Sequence, residues 1–364
     1  MTTPPNRRLG LGMWALVVAL LGIVVLTFLP TPYVIQRPGP VYDTLGTAQA
    51  ANGTQIPLIQ IDEAETFETE GSLSLTTVEI VGNRERPPSW FELAMAWLDS
   101  SRAVLPMDSV FPQGVTSEQR NERNAALMDE SQNEARAAAL RELGHTVPAE
   151  VEVVDLVEGS PAEGLLEPGD MLLSVDGVPV TSTTNLRAQI QEHEGSPVEI
   201  AFIRGGEQHT VRVAPDRAVQ GGVTSWVIGV FVVTHYEFPI DVTIQLDNVG
   251  GPSAGLMFAL GIIDQLTPGP LTGGIDVAGT GTIDSEGYVG AIGGIRQKLY
   301  GARDAGAEFF FAPDANCEEV VGHVPDGLTV IRTATLEDAL SALEVVASDG
   351  DLEALPTCTT ATSR

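Results

Sequence analysis

The chain opens with an uninterrupted apolar run: Leu9–Leu29 is 21 residues without a charge. A helix of that length rises about 31 Å at 1.5 Å per residue, close to the ~30 Å hydrocarbon thickness of a bilayer. The pattern predicts a transmembrane helix over 9–29. Arg7 and Arg8 precede it, which assigns 1–8 to a cytoplasmic tail and the rest of the chain to the outside. A cleaved signal peptide has a shorter apolar region, ~7–15 residues, and a small-x-small site. Here the run ends in Phe28-Leu29-Pro30-Thr31-Pro32, so an uncleaved anchor is the reading.

Beyond it the pattern breaks into shorter periods. Tyr33–Ile35, Ile56–Ile61 and Ser72–Val81 read as strands separated by Gly, Pro and acidic residues. Trp90, Leu93, Ala94, Trp97 and Leu98 follow helical spacing. Their two tryptophans read as core, with a place at the membrane interface as the alternative. Thr116-Ser117-Glu118-Gln119 is a capping box that opens a polar, Ala-rich helix ending near Gly144. From 148 to 216 the order is strand, turn and short helix, strand, helix Asn185–Gln191, then a hairpin about Gly205-Gly206. From 217 to 346 strands and helices alternate: strands at Val227–Val233, Asp241–Leu246, Ile275–Ile283, Glu308–Phe311 and Thr329–Ile331, helices at Ser253–Leu266, Ile295–Ala305 and Leu336–Val346. A polar tail, 347–364, follows. The whole reads as α+β.

The run Gly159-Ser160-Pro161-Ala162 through Gly169-Asp170-Met171-Leu172-Leu173-Ser174-Val175-Asp176-Gly177 resembles the bacterial type of PDZ domain. That resemblance implies a β-rich domain over 148–216 that captures peptides by strand addition. It also implies a groove lined by Val151 and Val153 on one side and by Leu186 and Ile190 on the other. No Gly-Leu-Gly-Phe type run is present to hold a terminal carboxylate; Leu143-Gly144-His145 is the nearest stand-in.

Charge narrows the partners. With 49 acidic and 19 basic residues the formal net charge is −30, which repels phosphate backbones and argues against nucleic acid. The basic residues are arginines except one, Lys298. A position that keeps lysine in such a chain needs an amine able to lose its proton, which arginine does not supply. The two cysteines, Cys317 and Cys358, can pair outside the membrane, or remain free thiols.

The chemistry concentrates in Asn248-Val249-Gly250-Gly251-Pro252-Ser253-Ala254-Gly255. Glycines and a proline make a tight bend into an apolar helix, so Ser253 sits where unpaired N–H groups and the helix dipole converge. Those are donors for a developing oxyanion. Pro252 has no N–H, which leaves Gly251, Ser253 and Ala254. An ordinary helix-capping serine is the bland alternative. A serine nucleophile needs a base. None of the five histidines, His145, His193, His209, His235 and His323, lies in a recognisable triad motif. Lys298 stands near the start of a helix, where burial and the helix dipole both disfavour its ammonium form.

Three segments, at 250–264, at 273–302 and at 306–313, resemble in order the proteolytic domain of the Lon family, which uses a Ser-Lys dyad. By motif, the resemblance implies Ser253 as nucleophile, Lys298 as base and Thr280 as a hydroxyl that helps hold the lysine. Two positions depart from the ATP-dependent members: Gly250 stands where they have an acid, and Thr282 where they have Glu. Together with the PDZ-like run and the anchor, the chain is similar to the PDZ-containing, membrane-bound Lon-like peptidases. The organisation expected is 1–8 tail, 9–29 transmembrane helix, 30–147 extracytoplasmic segment packing on the protease core, 148–216 PDZ-like domain, 217–346 Lon-type α/β domain and 347–364 tail. A Walker A loop, a His-Glu-x-x-His motif and an EF-hand loop are missing, so neither ATP, metal nor another cofactor is called for. The expected activity is serine endopeptidase cleavage of extracytoplasmic peptides or proteins. The resemblance also raises a homo-oligomer. The rival reading is a catalytically silent membrane receptor for peptides; a trypsin-like enzyme with a PDZ tail lacks its motifs.

Overall fold

The computed structural model describes the chain except residues 1–6, 50–52, 221–222, 247–248, 349 and 360–364, with side chains undescribed at a few more positions within elements. The elements that position the site are, in chain order, α1 (Arg7–Phe28), β1 (Tyr33–Asp43), β2 (Ser72–Val81), α2 (Trp90–Trp97), β3 (Ala103–Pro106) and α3 (Ser117–Glu142). There follow β4 (Ala149–Leu156), β5 (Met171–Val175), α4 (Thr183–Glu192), β6 (Val198–Arg204), β7 (Glu207–Val213), β8 (Val223–Val227) and β9 (Val230–Tyr236). The last are α5 (Gly255–Leu266), β10 (Asp276–Gly279), α6 (Ile295–Asp304), β11 (Phe309–Pro313), β12 (Thr329–Thr333) and α7 (Leu336–Ala347).

One sheet runs β12-β11-β10-β2-β1-β3. Its β10, β11 and β12 are mutually parallel, as is the β2–β10 pair, while β1 is antiparallel to both β2 and β3. Segment 30–147 thus supplies half of the sheet on which the protease-like segment is built. Helix α5 is apolar from Gly255 to Ile263 and buried as far as Asp264, as a central helix must be. It packs with Leu73, Leu75, Val277, Phe311, Ile331 and α7 in the largest core cluster.

The second sheet runs β7-β6-β5-β4-β9, each neighbour antiparallel. It closes a separate core around Phe202, Ile200, Leu172 and Leu166. Strand β9, assigned by sequence to the protease-like segment, pairs with β4 from Val230↔Leu156 to Tyr236↔Ala149. The last strand of the PDZ-like sheet therefore lies beyond the expected boundary at 216/217.

Helix α3 joins the two bodies. Its Thr116–Gln119 capping box forms as read, and its inner face carries Ala135, Ala138 and Ala139, each nearly without exposure, in the same core as α5. Small side chains let the two helix axes approach closely. Cys317 and Cys358 are disulfide-bonded.

Helix α1 follows the expected anchor in its backbone, but its side chains are described only over 12–22. Among the described residues no helix is long and apolar enough to cross a membrane.

Candidate active site

The bend ahead of α5 holds Ser253 one residue before the Ala254 cap. Its shape is set from three directions. The Gly251 N–H donates to the Asn124 carbonyl (3.0 Å), the Ser131 hydroxyl to the Pro252 carbonyl (2.9 Å), and both Gly281 N–H and the Thr280 hydroxyl to the Ser253 carbonyl (each 2.9 Å). Helix α3 and the loop after β10 therefore clamp the bend from opposite sides. Gly250 has a steric reason: a Cβ there would lie 2.7 Å from Asn124 Cβ. The departure from the acidic residue of the Lon pattern belongs to the close passage of α3.

Lys298 enters from α6. Gly294 caps that helix in the left-handed region (φ 71°), and its carbonyl accepts from Lys298 N–H at 3.1 Å. A Cβ on Gly294 would press on Gln36 and Val78, both at 2.8 Å, so glycine fixes how closely α6 meets β1 and β2. The lysine is 1% exposed. Its Nζ lies 2.7 Å from Ser253 Oγ and 2.8 Å from Thr280 Oγ1. The Thr280 proton goes to the Ser253 carbonyl, so a Thr280 lone pair faces the amine. The dominant influence on the amine is burial, which brings its pKa from the usual 10.5 down to about 7. At neutral pH a large share of Lys298 is therefore uncharged, with a lone pair available to the serine proton.

The pair opens into a cleft of about 460 Å³, whose walls include Tyr42, Leu75, Met128, Val249 and Glu79. Of the three amides read as oxyanion donors, Gly251 is taken by Asn124. Those of Ser253 and Ala254 have no backbone partner among the described residues. Asn248, the first residue of the motif, lies outside the described residues.

Behind the bend is a second, buried polar group that the sequence reading did not single out. Glu134 of α3, Tyr236 at the end of β9 and Ser285 meet there with buried side-chain oxygens. Burial raises the Glu134 carboxyl to about 7 and pushes the Tyr236 hydroxyl upward as well. Arg141 ties the same corner together by donating to the carbonyls of Ser285 (2.9 Å) and Val147 (3.0 Å). Helical spacing from Ser131 to Glu134 was legible; that this face meets the nucleophile bend was not.

The expected peptide groove needs correction. Strand β4 is flanked on both sides, by β5 and β9, so it has no edge to offer a peptide. Val151 and Val153 are fully buried, and Leu186 and Ile190 nearly so, all in the core of that sheet. Leu143-Gly144-His145 is the turn closing α3, with Gly144 and His145 N–H bonded back to Arg141 and Leu140. The edge beside α4 is β9, entered through Ile228-Gly229. Helix α4 is bonded to this edge region at both ends. Thr183 N–H donates to Thr234 Oγ1 (2.9 Å), and Gln191 exchanges bonds with the Trp226 backbone (2.6 and 2.9 Å). Thr184 and Arg187 of α4 line a further cavity of about 260 Å³ together with Glu134, Pro252, Asp284 and Tyr288. Helix α4 and the nucleophile bend thus border one cavity. Among the described residues no group of three or more His, Cys, Asp or Glu gathers as a metal site.

A PDZ-like sheet set beside a Ser-Lys pair at the mouth of an α/β core defines a PDZ domain joined to a Lon-type proteolytic domain. Residues 152–204 match the family model of the PDZ domain, and 240–345 that of the Lon protease (S16) C-terminal proteolytic domain. Lon protease 2 of Herpetosiphon aurantiacus is 38% identical over 108 residues, covering 28% of this chain and 13% of the relative. A protein bearing the name of a zinc metalloprotease in Xylella fastidiosa is 32% identical over 149 residues, 39% of this chain and 32% of the relative. The PDZ domain of an SdrC-like protein from Listeria monocytogenes is 23% identical, covering 23% of this chain and 86% of that one, with a TM-score of 0.21. The chain thus spans a third or less of the curated relatives named. The Lon relatives support a peptidase, and the two domains fit the binding of peptide or protein substrates.

Proposed function

We propose that the chain is an ATP-independent serine endopeptidase in which Ser253 is the nucleophile and Lys298 the general base. The observation that carries this is the buried amine 2.7 Å from a hydroxyl at the mouth of a cleft. The neutral amine takes the Ser253 proton as Oγ attacks the peptide carbonyl, and the Ser253 and Ala254 amides receive the oxyanion. The lysine then returns the proton to the leaving amine, and water, deprotonated by the same amine, releases the acyl group. Thr280 positions the amine through its lone pair. Segment 30–147, PDZ-like strands through β9 and the Lon-type core act as one unit, with peptide capture at the β9–α4 edge. Helix α1 anchors the chain, N-terminus inside and site outside; Arg7 and Arg8 ahead of its uncharged run and the Cys317–Cys358 bond support that orientation.

The test is cleavage of an unfolded protein by Ser253→Ala and Lys298→Arg. Each is expected to lose roughly 1,000-fold or more in kcat/KM while remaining folded, with a lower unfolding midpoint for the buried arginine. Near-normal cleavage by Lys298→Arg would remove the base from the reading.

A further inference from the structure

Helix α2 has the sequence Trp90-Phe-Glu-Leu-Ala-Met-Ala-Trp97, with Leu98 as its cap. Glu92 is its single polar side chain, and it is spent on the capping box, where its carboxylate accepts from Ser89 N–H at 2.7 Å. A helix apolar all round requires cover on every side. The protein covers one side only: Leu93 and Ala96 pack with Ile35 against β1, and Trp90 meets Tyr33 edge-on. The opposite side is open. Phe91, Met95 and Leu98, at i, i+4 and i+7, form a stripe exposed by 50, 50 and 82%, and Trp97 beside it by 63%. The two tryptophans therefore divide between core and surface.

What covers the stripe follows from its neighbour. Helix α2 lies in contact with α1, and the connection is fixed: Pro30 bridges Ser89, and the Thr31 hydroxyl donates to the Pro88 carbonyl at 2.8 Å. Helix α1 is exposed all round over its described side chains, with Trp14, Leu16 and Leu21 among them. Any apolar phase that receives α1 ends beside α2. We propose that α2 is a bilayer-surface footing, with Phe91, Met95 and Leu98 set among the acyl chains just below the headgroups and Trp97 at headgroup level. This rests on the reading of α1 as an anchor. Because α2 packs on β1, and β1 continues to Tyr42 in the cleft wall, the footing fixes how the cleft is turned relative to the membrane.

The experiment uses the full chain in phosphatidylcholine vesicles, with an environment-sensitive NBD label on a single introduced thiol. The native cysteines are paired, so the label is unambiguous. Three labelled variants are compared: Leu98→Cys, Leu16→Cys, and Glu207→Cys on the remote β7 hairpin. Nitroxide lipids carry the spin label either at the headgroup or deep in the acyl chain. The footing predicts that the label at 98 is quenched at least threefold more than at 207, and more by headgroup than by deep nitroxides, while 16 is quenched by deep ones. If 16 is quenched and 98 behaves as 207 does, the anchor stands and the footing is overturned. If 98 is blue-shifted without quenching by lipid, a protein covers the stripe and the footing is again overturned. If neither 16 nor 98 is quenched, the anchor itself falls.

Discussion

At the scale of residues, the proposed function rests on one proton. A lysine whose pKa is about 7 is a base in the physiological range, so kcat/KM should rise with pH through an ascending limb centred near 7. Thr280 tests the geometry while Ser253 and Lys298 both stay in place. Thr280→Val removes the acceptor of the Lys298 bond and the donor to the Ser253 carbonyl. At about 1 kcal/mol net for each bond, kcat should fall roughly 10- to 30-fold. An acceptor near an amine favours its charged form, so the limb should also move to lower pH. A purely structural threonine would lower kcat without moving the limb. Gly250→Asp, which restores the acid of the Lon pattern, would drive its Cβ into Asn124. Its cost should appear as lost activity and an unfolding midpoint lowered by a few degrees, an overpacking penalty of about 1–3 kcal/mol.

At the scale of elements, α3 is the part that couples the two sheets. It touches the bend through Asn124 and Ser131, and it carries Glu134 to the end of β9. A carboxyl raised from 4.5 to about 7 binds a proton in the folded state that the unfolded state releases. Its share of stability is complete below pH 4.5 and is lost as pH rises through 7. Lys298 acts in a different window: its depressed pKa makes stability rise with pH from about 7 towards 10.5. Urea unfolding of Glu134→Gln should therefore be flatter between pH 4.5 and 7 than that of the parent. An unchanged slope would place the shift elsewhere. The local elements were legible in the sequence because each carries its own signal. The Gly-Gly-Pro-Ser bend, the sole lysine on a helix start and the Thr116 capping box are all written within a few residues. What was not legible depends on pairing between distant strands. The alternation at Val151 and Val153 announces a strand but not which side is occupied, and its partner β9 lies 74 to 87 residues further on, from Val230 on Leu156 to Tyr236 on Ala149. The interior place of β4 and the edge position of β9 follow from that pairing, and the approach of Asn124 to Gly250 from an equally distant contact of helix with loop.

At the scale of the whole molecule, the chain is an acidic body of net charge −30 with one apolar end, α1 and the open side of α2. The Cys317–Cys358 bond closes a loop of 41 residues, which constrains the unfolded chain by about 4 kcal/mol in the loop-entropy account. Reduction should accordingly lower the unfolding temperature by several degrees, read by calorimetry with and without a reductant. The same economy of composition that left a single lysine among 364 residues makes the central claim directly observable. Lysine labelled with 13C at Cε and incorporated into the full chain gives one side-chain signal, that of Lys298. Followed by NMR across pH, its shift should titrate with a midpoint near 7, and the midpoint should move in Ser253→Ala, which removes a hydrogen-bond partner of the amine. A midpoint near 10.5, unaltered by that substitution, would contradict the account.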